Sequence, residues 1–260
     1  MNRLAVTGGA GRIGTALRPL LRAAYRLRLL DVRELPVELA DGEDFRQLDV
    51  GDLRAMETAL LGMDAVVHLA GQPSPAAGWS SVLKDNIDAT RSVFEAARRN
   101  GIGKVVFAST NHVAGFYNLE GSWPIDTQSA IRPDSLYGVS KALGEALARY
   151  YSDAFDMSII CLRIGWFTPR GPSVSALNPL WISARDLAQV VQLSLETSRR
   201  FGIYNATSNN PQAHWDLRTT REELGYAPRD DVTAHATDTD TRAVYVDPRA
   251  GVLGDSPPGT

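Results

Sequence analysis

The chain has 260 residues, of which 44% are hydrophobic, and a formal net charge of −3. This length suits one α/β domain or two small ones, and the balanced charge argues against a nucleic acid or an anionic membrane as partner. No stretch approaches the ~18 apolar residues of a membrane-spanning helix, and the N-terminus runs straight into an apolar segment rather than a signal peptide. We therefore expect a cytoplasmic protein whose partner is a small molecule.

The first predicted elements are a strand at Arg3–Thr7 and a helix at Arg12–Tyr25, joined by a glycine-rich turn. The turn reads Thr7-Gly8-Gly9-Ala10-Gly11-Arg12-Ile13-Gly14. Glycines spaced three apart let a pyrophosphate approach the backbone and let the helix pack close to the strand, with its N-terminus facing the phosphates. The spacing predicts a dinucleotide site, and its expected cofactor contacts are Gly8, Gly11, Arg12, Ile13 and Gly14.

The second and third predicted strands, Arg26–Leu30 and Asp44–Leu48, are each followed by an acidic residue. Asp31 lies about 20 residues beyond the glycines, where a carboxylate accepts hydrogen bonds from the adenosine ribose hydroxyls and repels a 2′-phosphate. This favours NAD, although the nearby Arg33 could accommodate the phosphate of NADP. Asp49 and Val50 follow the third strand, where the adenine edge would lie.

A helix is predicted at Leu53–Leu61, and the fourth strand, Ala65–Leu69, runs into Ala70 and Gly71. Small residues at this strand end would let the cofactor cross the sheet edge, so we expect Leu69, Ala70 and Gly71 to contact it. His68 is interpreted as a core histidine. A further helix is predicted at Ser80–Asn100. The four histidines of the chain are scattered without ligand spacing, so no metal site is predicted.

The fifth predicted strand, Lys104–Ala108, is followed by Ser109-Thr110-Asn111-His112, and a helix is predicted at Leu136–Phe155. Tyr137 and Lys141 lie four residues apart and therefore share one face of that helix. A nearby ammonium stabilises a phenolate, and a hydroxyl from the strand end can hold the reacting oxygen. The pattern predicts a site that takes a proton from an alcohol while a hydride leaves its carbon.

The remaining elements complete an α/β alternation. Strands are predicted at Met157–Arg163 and Gly202–Ala206, and Cys161 in the former is interpreted as a buried packing residue. Helices are predicted at Ala184–Ser198 and Thr219–Leu224. The alternation predicts a doubly wound parallel Rossmann-type sheet with a small C-terminal substrate lobe. We expect one NAD-binding domain over 1–230, with the lobe at about 165–230, and a C-terminal tail or arm over 231–260.

Taken together, these motifs resemble the extended short-chain dehydrogenases/reductases, the NAD-dependent epimerase/dehydratase group, over roughly residues 1–230. The resemblance implies that Thr110 is the catalytic hydroxyl, with Ser109 as second choice, and that Tyr137 and Lys141 are catalytic and also touch the cofactor. It further implies roles near the cofactor for Asn86, on the helix where the family keeps an asparagine, and for Ile164. We also expect a homo-oligomer.

Within this group the chain is most similar to the uronate dehydrogenases, through Ser109–Tyr117, Leu162–Gly165 and Trp181–Ser183. The resemblance implies that NAD oxidises the cyclic hemiacetal of a uronic acid to a lactone. It also implies that Ser74, Asn111 and His112 contact the substrate.

One segment departs from the uronate dehydrogenases, which bind the carboxylate with an arginine in the loop before Trp181. The segment Ser173–Asn178 has no arginine, and Arg170 is the nearby candidate. Two alternatives therefore stay open. The first is an NAD(P)-dependent epimerase, dehydratase or ketoreductase acting on another small molecule. The second is a non-catalytic NAD(P)-sensing regulator, against which the Tyr137–Lys141 pair argues.

Overall fold

A seven-stranded parallel sheet organises the chain. The computed structural model describes residues 2–169 and 179–234. The strands within these ranges are β1 (Arg3–Thr7), β2 (Arg26–Asp31), β3 (Glu43–Gln47), β4 (Ala65–His68), β5 (Lys104–Thr110), β6 (Ser158–Ile164), β7 (Trp166–Phe167), β8 (Trp181–Ile182) and β9 (Phe201–Ala206).

The strand order of the main sheet is β3-β2-β1-β4-β5-β6-β9, and every neighbouring pair is parallel. The chain winds outwards from β1 to β3, returns to β4 on the other side of β1, and winds outwards again to β9. A crevice at the carboxyl ends of β1 and β4, where the order reverses, is the expected ligand position in such a sheet. The predicted doubly wound Rossmann-type fold is confirmed.

Helices cover both faces of the sheet. They are α1 (Arg12–Leu21), α2 (Leu53–Ala59), α3 (Trp79–Val82), α4 (Ala89–Arg99), α5 (Gly115–Leu119), α6 (Leu136–Phe155), α7 (Ala184–Glu196) and α8 (Arg218–Leu224). Helices α1 and α7 pack on one face, and α2, α4 and α6 pack on the other. Because strand side chains alternate between faces, Val6 enters the core under α1 and Ala5 enters the core under α4.

Helix α6 carries Tyr137 and Lys141, and its position is fixed at both ends and in the middle. The Ser135 hydroxyl caps its N-terminus by accepting a hydrogen bond from Gly138 N at 3.1 Å. Asp156 ends it in the left-handed conformation, at φ 58°. In the middle, a Cβ on Gly144 would lie 2.4 Å from the Phe107 ring, so the helix approaches β5 as closely as only glycine allows.

Two predicted helices differ from the observed ones by more than two residues at an end or by an interruption. Helix α1 ends at Leu21 rather than Tyr25, because Ala24 N and Tyr25 N both bond to Leu21 O in a turn that leads into β2. The predicted helix Ser80–Asn100 is divided into α3, a π-helical turn at Leu83–Asp88, and α4. Strand β5 also extends two residues beyond its predicted end, so that Ser109 and Thr110 belong to it.

The predicted C-terminal tail is described only at its beginning. Val232–Ala234 forms a 3₁₀ turn, and Val232 N donates to Asn210 Oδ1 at 3.1 Å, whereas 235–260 lies outside the described residues. Within the described ranges, no helix combines the length and apolar character that crossing a bilayer requires.

Candidate active site

The glycine-rich turn Gly8–Gly14 after β1, here called the glycine cradle, packs tightly at the start of α1. A Cβ on Gly14 would lie 2.3 Å from Gly8 O, so the first turn of α1 packs directly on the turn residues. Gly8 has φ 70°, and a Cβ there would lie 2.8 Å from Ala70 N, so the turn touches the end of β4. No side chain caps the N-terminus of α1 at Gly11. The backbone N–H groups of the first helical turn, which include those of Arg12 and Ile13, are therefore available to an anion.

Asp31, at the end of β2, lies beside this cradle. Its carboxylate accepts hydrogen bonds from Ala10 N at 2.9 Å and from Arg33 N at 3.0 Å, and the Arg33 Nε atom lies 3.4 Å away. An ionised carboxylate has about four acceptor positions, so one remains for a ribose hydroxyl. The Arg33 side chain is 65% exposed. Both predicted determinants of the NAD-versus-NADP choice therefore lie at one place.

The other predicted cofactor residues line the same edge of the sheet. Val50 is buried, and Asp49 is half-exposed, accepts from Gly51 N at 2.8 Å and lies 3.6 Å from Lys84 Nζ. Ile164, also buried, ends β6. Leu69, Ala70 and Gly71 follow β4, and Ala70 lies against Gly8 of the glycine cradle.

His68 ends β4 and is a buried core residue, as predicted from the sequence. The Thr7 hydroxyl accepts from Leu69 N at 3.1 Å and from Ala70 N at 3.2 Å, so its own proton is donated to His68 Nδ1 at 2.8 Å. His68 Nε2 then carries the ring proton and donates it to Thr90 Oγ1 at 3.2 Å. Burial, with a smaller contribution from the Lys141 charge, lowers the pKa of His68 to about 3. The ring is therefore neutral, and its two hydrogen bonds connect the end of β4 to Thr7 and Thr90.

Asn86 lies in the π-helical turn and connects the β4 end to α6. Its Oδ1 accepts from Gln72 N at 2.7 Å, and its Nδ2 donates to Gln72 O at 3.1 Å and to Ser140 Oγ at 2.8 Å. Ser140 precedes Lys141, and its hydroxyl in turn donates to Tyr137 O at 2.7 Å. These bonds use both amide protons and one lone pair of the amide oxygen, so Asn86 positions the loop and the helix on either side of the predicted cofactor site.

Tyr137 and Lys141 lie one turn apart at the start of α6. Burial raises the pKa of the Tyr137 phenol to about 12, and the neighbouring Thr110 side chain opposes that rise. Lys141 is also buried, and burial lowers the pKa of its ammonium to about 8. Its Nζ lies 4.9 Å from the centre of the Phe107 ring, whose face partly compensates for the lost water.

The two hydroxyls at the end of β5 have different surroundings. The Thr110 side chain lies beside Tyr137, where it lowers the pKa of the phenol, and its hydroxyl accepts from His112 N at 3.3 Å. Ser109 instead donates to Glu145 Oε1 at 2.6 Å. Glu145 is held by Arg163 through two hydrogen bonds of 2.9 Å, and all three side chains are buried. The geometry therefore brings Thr110, and not Ser109, to the tyrosine.

Of the predicted substrate residues, His112 lies beside Tyr137. The His112 ring meets the Tyr137 ring edge-on with centroids 5.7 Å apart, and its Nδ1 lies 2.9 Å from both carboxylate oxygens of Asp134. Asn111 Oδ1 accepts from the Thr110 hydroxyl at 3.3 Å. Ser74 accepts from Ala76 N in the loop after β4. Arg170 lies outside the described residues.

Several residues of this site were not predicted from the sequence: Thr90, Asp134, Ser140, Glu145 and Arg163. A signal existed for Glu145, which continues the four-residue spacing of Tyr137 and Lys141 along one helix face. Thr90 likewise lies four residues after Asn86. The pairing of Asp134 with His112 spans 22 positions and has no local signature.

The site combines the glycine-rich turn, the Asp31 carboxylate and the hydroxyl–phenol–ammonium group of Thr110, Tyr137 and Lys141 on one sheet edge. Such a set can bind a nicotinamide dinucleotide and exchange a proton with an oxygen held by Thr110 and Tyr137. Among the described residues, no group of three or more His, Cys, Asp or Glu side chains is arranged to hold a metal ion.

Comparisons with known proteins agree with this geometry. The family model described as NAD dependent epimerase/dehydratase family matches residues 4–200. The chain is 37% identical to an NAD-dependent glucose-6-phosphate dehydrogenase of Haloferax volcanii, over 86% of this chain and 92% of the relative. It is 35% identical to a uronate dehydrogenase of Pseudomonas syringae pv. tomato, over 95% and 88% of the two chains.

Solved structures show the same similarity. A crystal structure of a uronate dehydrogenase variant from Agrobacterium tumefaciens, complexed with NAD, aligns with a TM-score of 0.83 and 31% identity. The alignment covers 100% of this chain and 92% of the other.

Proposed function

Because the chain belongs to the NAD-dependent epimerase/dehydratase family, we propose that it is an NAD-dependent dehydrogenase that oxidises the hemiacetal carbon of a uronic acid to a lactone. The family membership predicted from the sequence is confirmed. The observation that carries the proposal is the placement of the Thr110 side chain beside Tyr137, one helical turn from Lys141 and on the same sheet edge as the glycine cradle.

The cofactor is NAD, which when bound supplies the hydride acceptor and a positively charged ring. The protein residues handle the proton. Thr110 orients the substrate hydroxyl towards Tyr137, and Tyr137 accepts its proton as the hydride leaves. Burial works against the phenolate, since it raises the pKa of Tyr137 to about 12. Lys141, as an ammonium, offsets this cost.

The substrate class rests on polar side chains in the segments that follow β4 and β5. Asn111, His112 and Ser74 offer hydrogen bonds to a polyhydroxylated ligand. A uronate also needs a cation for its carboxylate, and Arg170 is the residue we assign to that contact. The similarity to the uronate dehydrogenase of Pseudomonas syringae pv. tomato, over 95% of this chain, supports the assignment.

A second candidate substrate is an aldose without the uronate carboxylate. Two observations favour it: Ser173–Asn178 contains no arginine, and the chain is also 37% identical to a glucose-6-phosphate dehydrogenase. The proton transfer by Tyr137 would be the same for either sugar.

The test is NADH formation, followed at 340 nm, with galacturonate, glucuronate, the matching aldoses and glucose 6-phosphate. We expect the uronates to be oxidised with the highest kcat/KM. Arg170→Ala should raise KM far more for a uronate than for its aldose, whereas Arg149→Ala, on the exposed side of α6, should change neither. Turnover of an aldose with no turnover of any uronate would replace the first candidate by the second.

A further inference from the structure

His112 and Asp134 form a hydrogen-bonded pair beside Tyr137. The His112 Nδ1 atom lies 2.9 Å from each carboxylate oxygen of Asp134, and both side chains are mostly buried, at 19% and 14% exposure. No described residue hydrogen-bonds His112 Nε2. One ring nitrogen is therefore fixed by the protein, and the other is left for a ligand.

The surrounding backbone holds this pair in place. Asp134 N donates to His112 O at 3.3 Å, and the Ser135 hydroxyl donates to Asp134 Oδ1 at 3.1 Å. A Cβ on Gly115 would lie 2.0 Å from Asp134 Oδ2, and one on Gly138 would lie 2.4 Å from His112 O. Asp134 and the His112 backbone therefore pack directly against glycines, where any side chain would displace them.

The chemistry of the pair defines the histidine tautomer. An ionised carboxylate only accepts hydrogen bonds, so Nδ1 must carry the proton that it donates to Asp134. In the neutral ring Nε2 then has a lone pair and acts as an acceptor. His68 has the opposite arrangement, because the Thr7 hydroxyl donates to its Nδ1 and its Nε2 donates to Thr90.

We propose that Asp134 is a positioning residue that fixes His112 as the Nδ1–H tautomer, so that Nε2 accepts a hydrogen bond from a substrate hydroxyl. The contact with substrate rests on the proposed function. It defines the polarity of one subsite: the ligand must present an O–H donor there. A methyl ether or a deoxy sugar at that position leaves Nε2 without a partner and is rejected.

The tautomer is tested without any substrate. Long-range ¹H–¹⁵N spectra of ¹⁵N-histidine protein, recorded at about pH 8.5 where an ordinary histidine is neutral, distinguish the protonated from the unprotonated ring nitrogen. His112→Gln identifies the signals of this residue. We expect His112 to be protonated at Nδ1 and His68 at Nε2 in the same spectrum. Protonation of His112 at Nε2, or no change in its tautomer in Asp134→Ala, overturns the proposal.

A double-mutant cycle with substrate tests how Asp134 acts. Asp134→Ala should lower kcat/KM by roughly tenfold to a hundredfold, mainly through KM, the scale of one hydrogen bond to a charged group. Asp134→Asn, which keeps an acceptor, should recover much of that loss. In a His112→Ala background Asp134→Ala should have no further effect.

The alternative role is purely structural, and it has different readouts. Equal losses from Asp134→Ala in both backgrounds, or weaker NAD binding by calorimetry, would show that Asp134 does not act through His112. If the wild-type protein oxidises no sugar, the proposed function fails, while the NMR result still decides the tautomer.

Discussion

Ser109 and Thr110 are adjacent on strand β5, yet Ser109 hydrogen-bonds the buried Glu145 while Thr110 lies beside Tyr137. We expect Thr110→Ala to lower kcat at least tenfold with little change in stability. Ser109→Ala should keep most of the activity and lose about 1–3 kcal/mol of unfolding free energy, because it leaves a buried carboxylate without one partner. Steady-state kinetics and urea unfolding of both variants separate the roles. The reverse pattern would make Ser109 the catalytic hydroxyl.

Tyr137→Phe removes the proton acceptor and keeps the ring. Turnover should fall roughly 10²–10⁴-fold, the usual contribution of one acid–base group, while calorimetry shows NAD bound as in the wild type. Tyr150→Phe is the matched control, since Tyr150 lies on the same helix and is 57% exposed. Wild-type turnover in Tyr137→Phe on the true substrate would refute the mechanism.

The pH dependence of oxidation should depend on Lys141. Because Tyr137 must lose a proton, kcat/KM should rise with pH, and it should level off above about 8, where Lys141 loses the charge that supports the phenolate. The Lys141→Met variant lacks the ammonium, so its kcat/KM should be lower and should rise only at higher pH than in the wild type. Lys84→Met, a change at an exposed lysine, should leave the shape of the profile unaltered. Identical profiles for Lys141→Met and the wild type would exclude this role of Lys141.

Asp31 should set the cofactor preference. We expect calorimetry to give tighter binding of NAD than of NADP, because the Asp31 carboxylate repels a 2′-phosphate. Asp31→Ala should narrow the difference by freeing Arg33, whereas Glu34→Ala, at an exposed acid three residues away, should not. Equal or tighter binding of NADP by the wild type would make Arg33 the dominant residue.

His68 should make the fold sensitive to mild acid. The folded protein keeps this ring neutral down to about pH 3, whereas the unfolded chain protonates it below about 6.5. Stability is therefore lost as pH falls through this window, by about 1.4 kcal/mol per pH unit at most. Between pH 6.5 and 5 the wild type should lose about 2 kcal/mol more than His68→Gln in urea unfolding. Equal losses would mean that His68 does not titrate in this way.

The features that the sequence predicted correctly are those with local causes. The glycine spacing at 8, 11 and 14 predicts the cradle, and helix α6 runs over Leu136–Phe155 as predicted, because Ser135 caps one end and Asp156 stops the other. The π-helical turn was not predictable, since its apolar spacing does not differ from that of an α-helix. The partners of Ser109 and His112 were also missed, because Glu145 and Asp134 reach them only after the chain has folded.

The π-helical turn at Leu83–Asp88 should make this segment less tolerant of deletions than of substitutions. Each residue of an α-helix advances the chain by about 100° around the axis. Deleting one residue here would rotate everything before the deletion by that angle relative to α4. Thr90 would stay on His68, but Asn86 would turn away from Gln72 and Ser140. Homologous sequences that keep this site should therefore align through 83–90 without gaps, even where the residues themselves have changed.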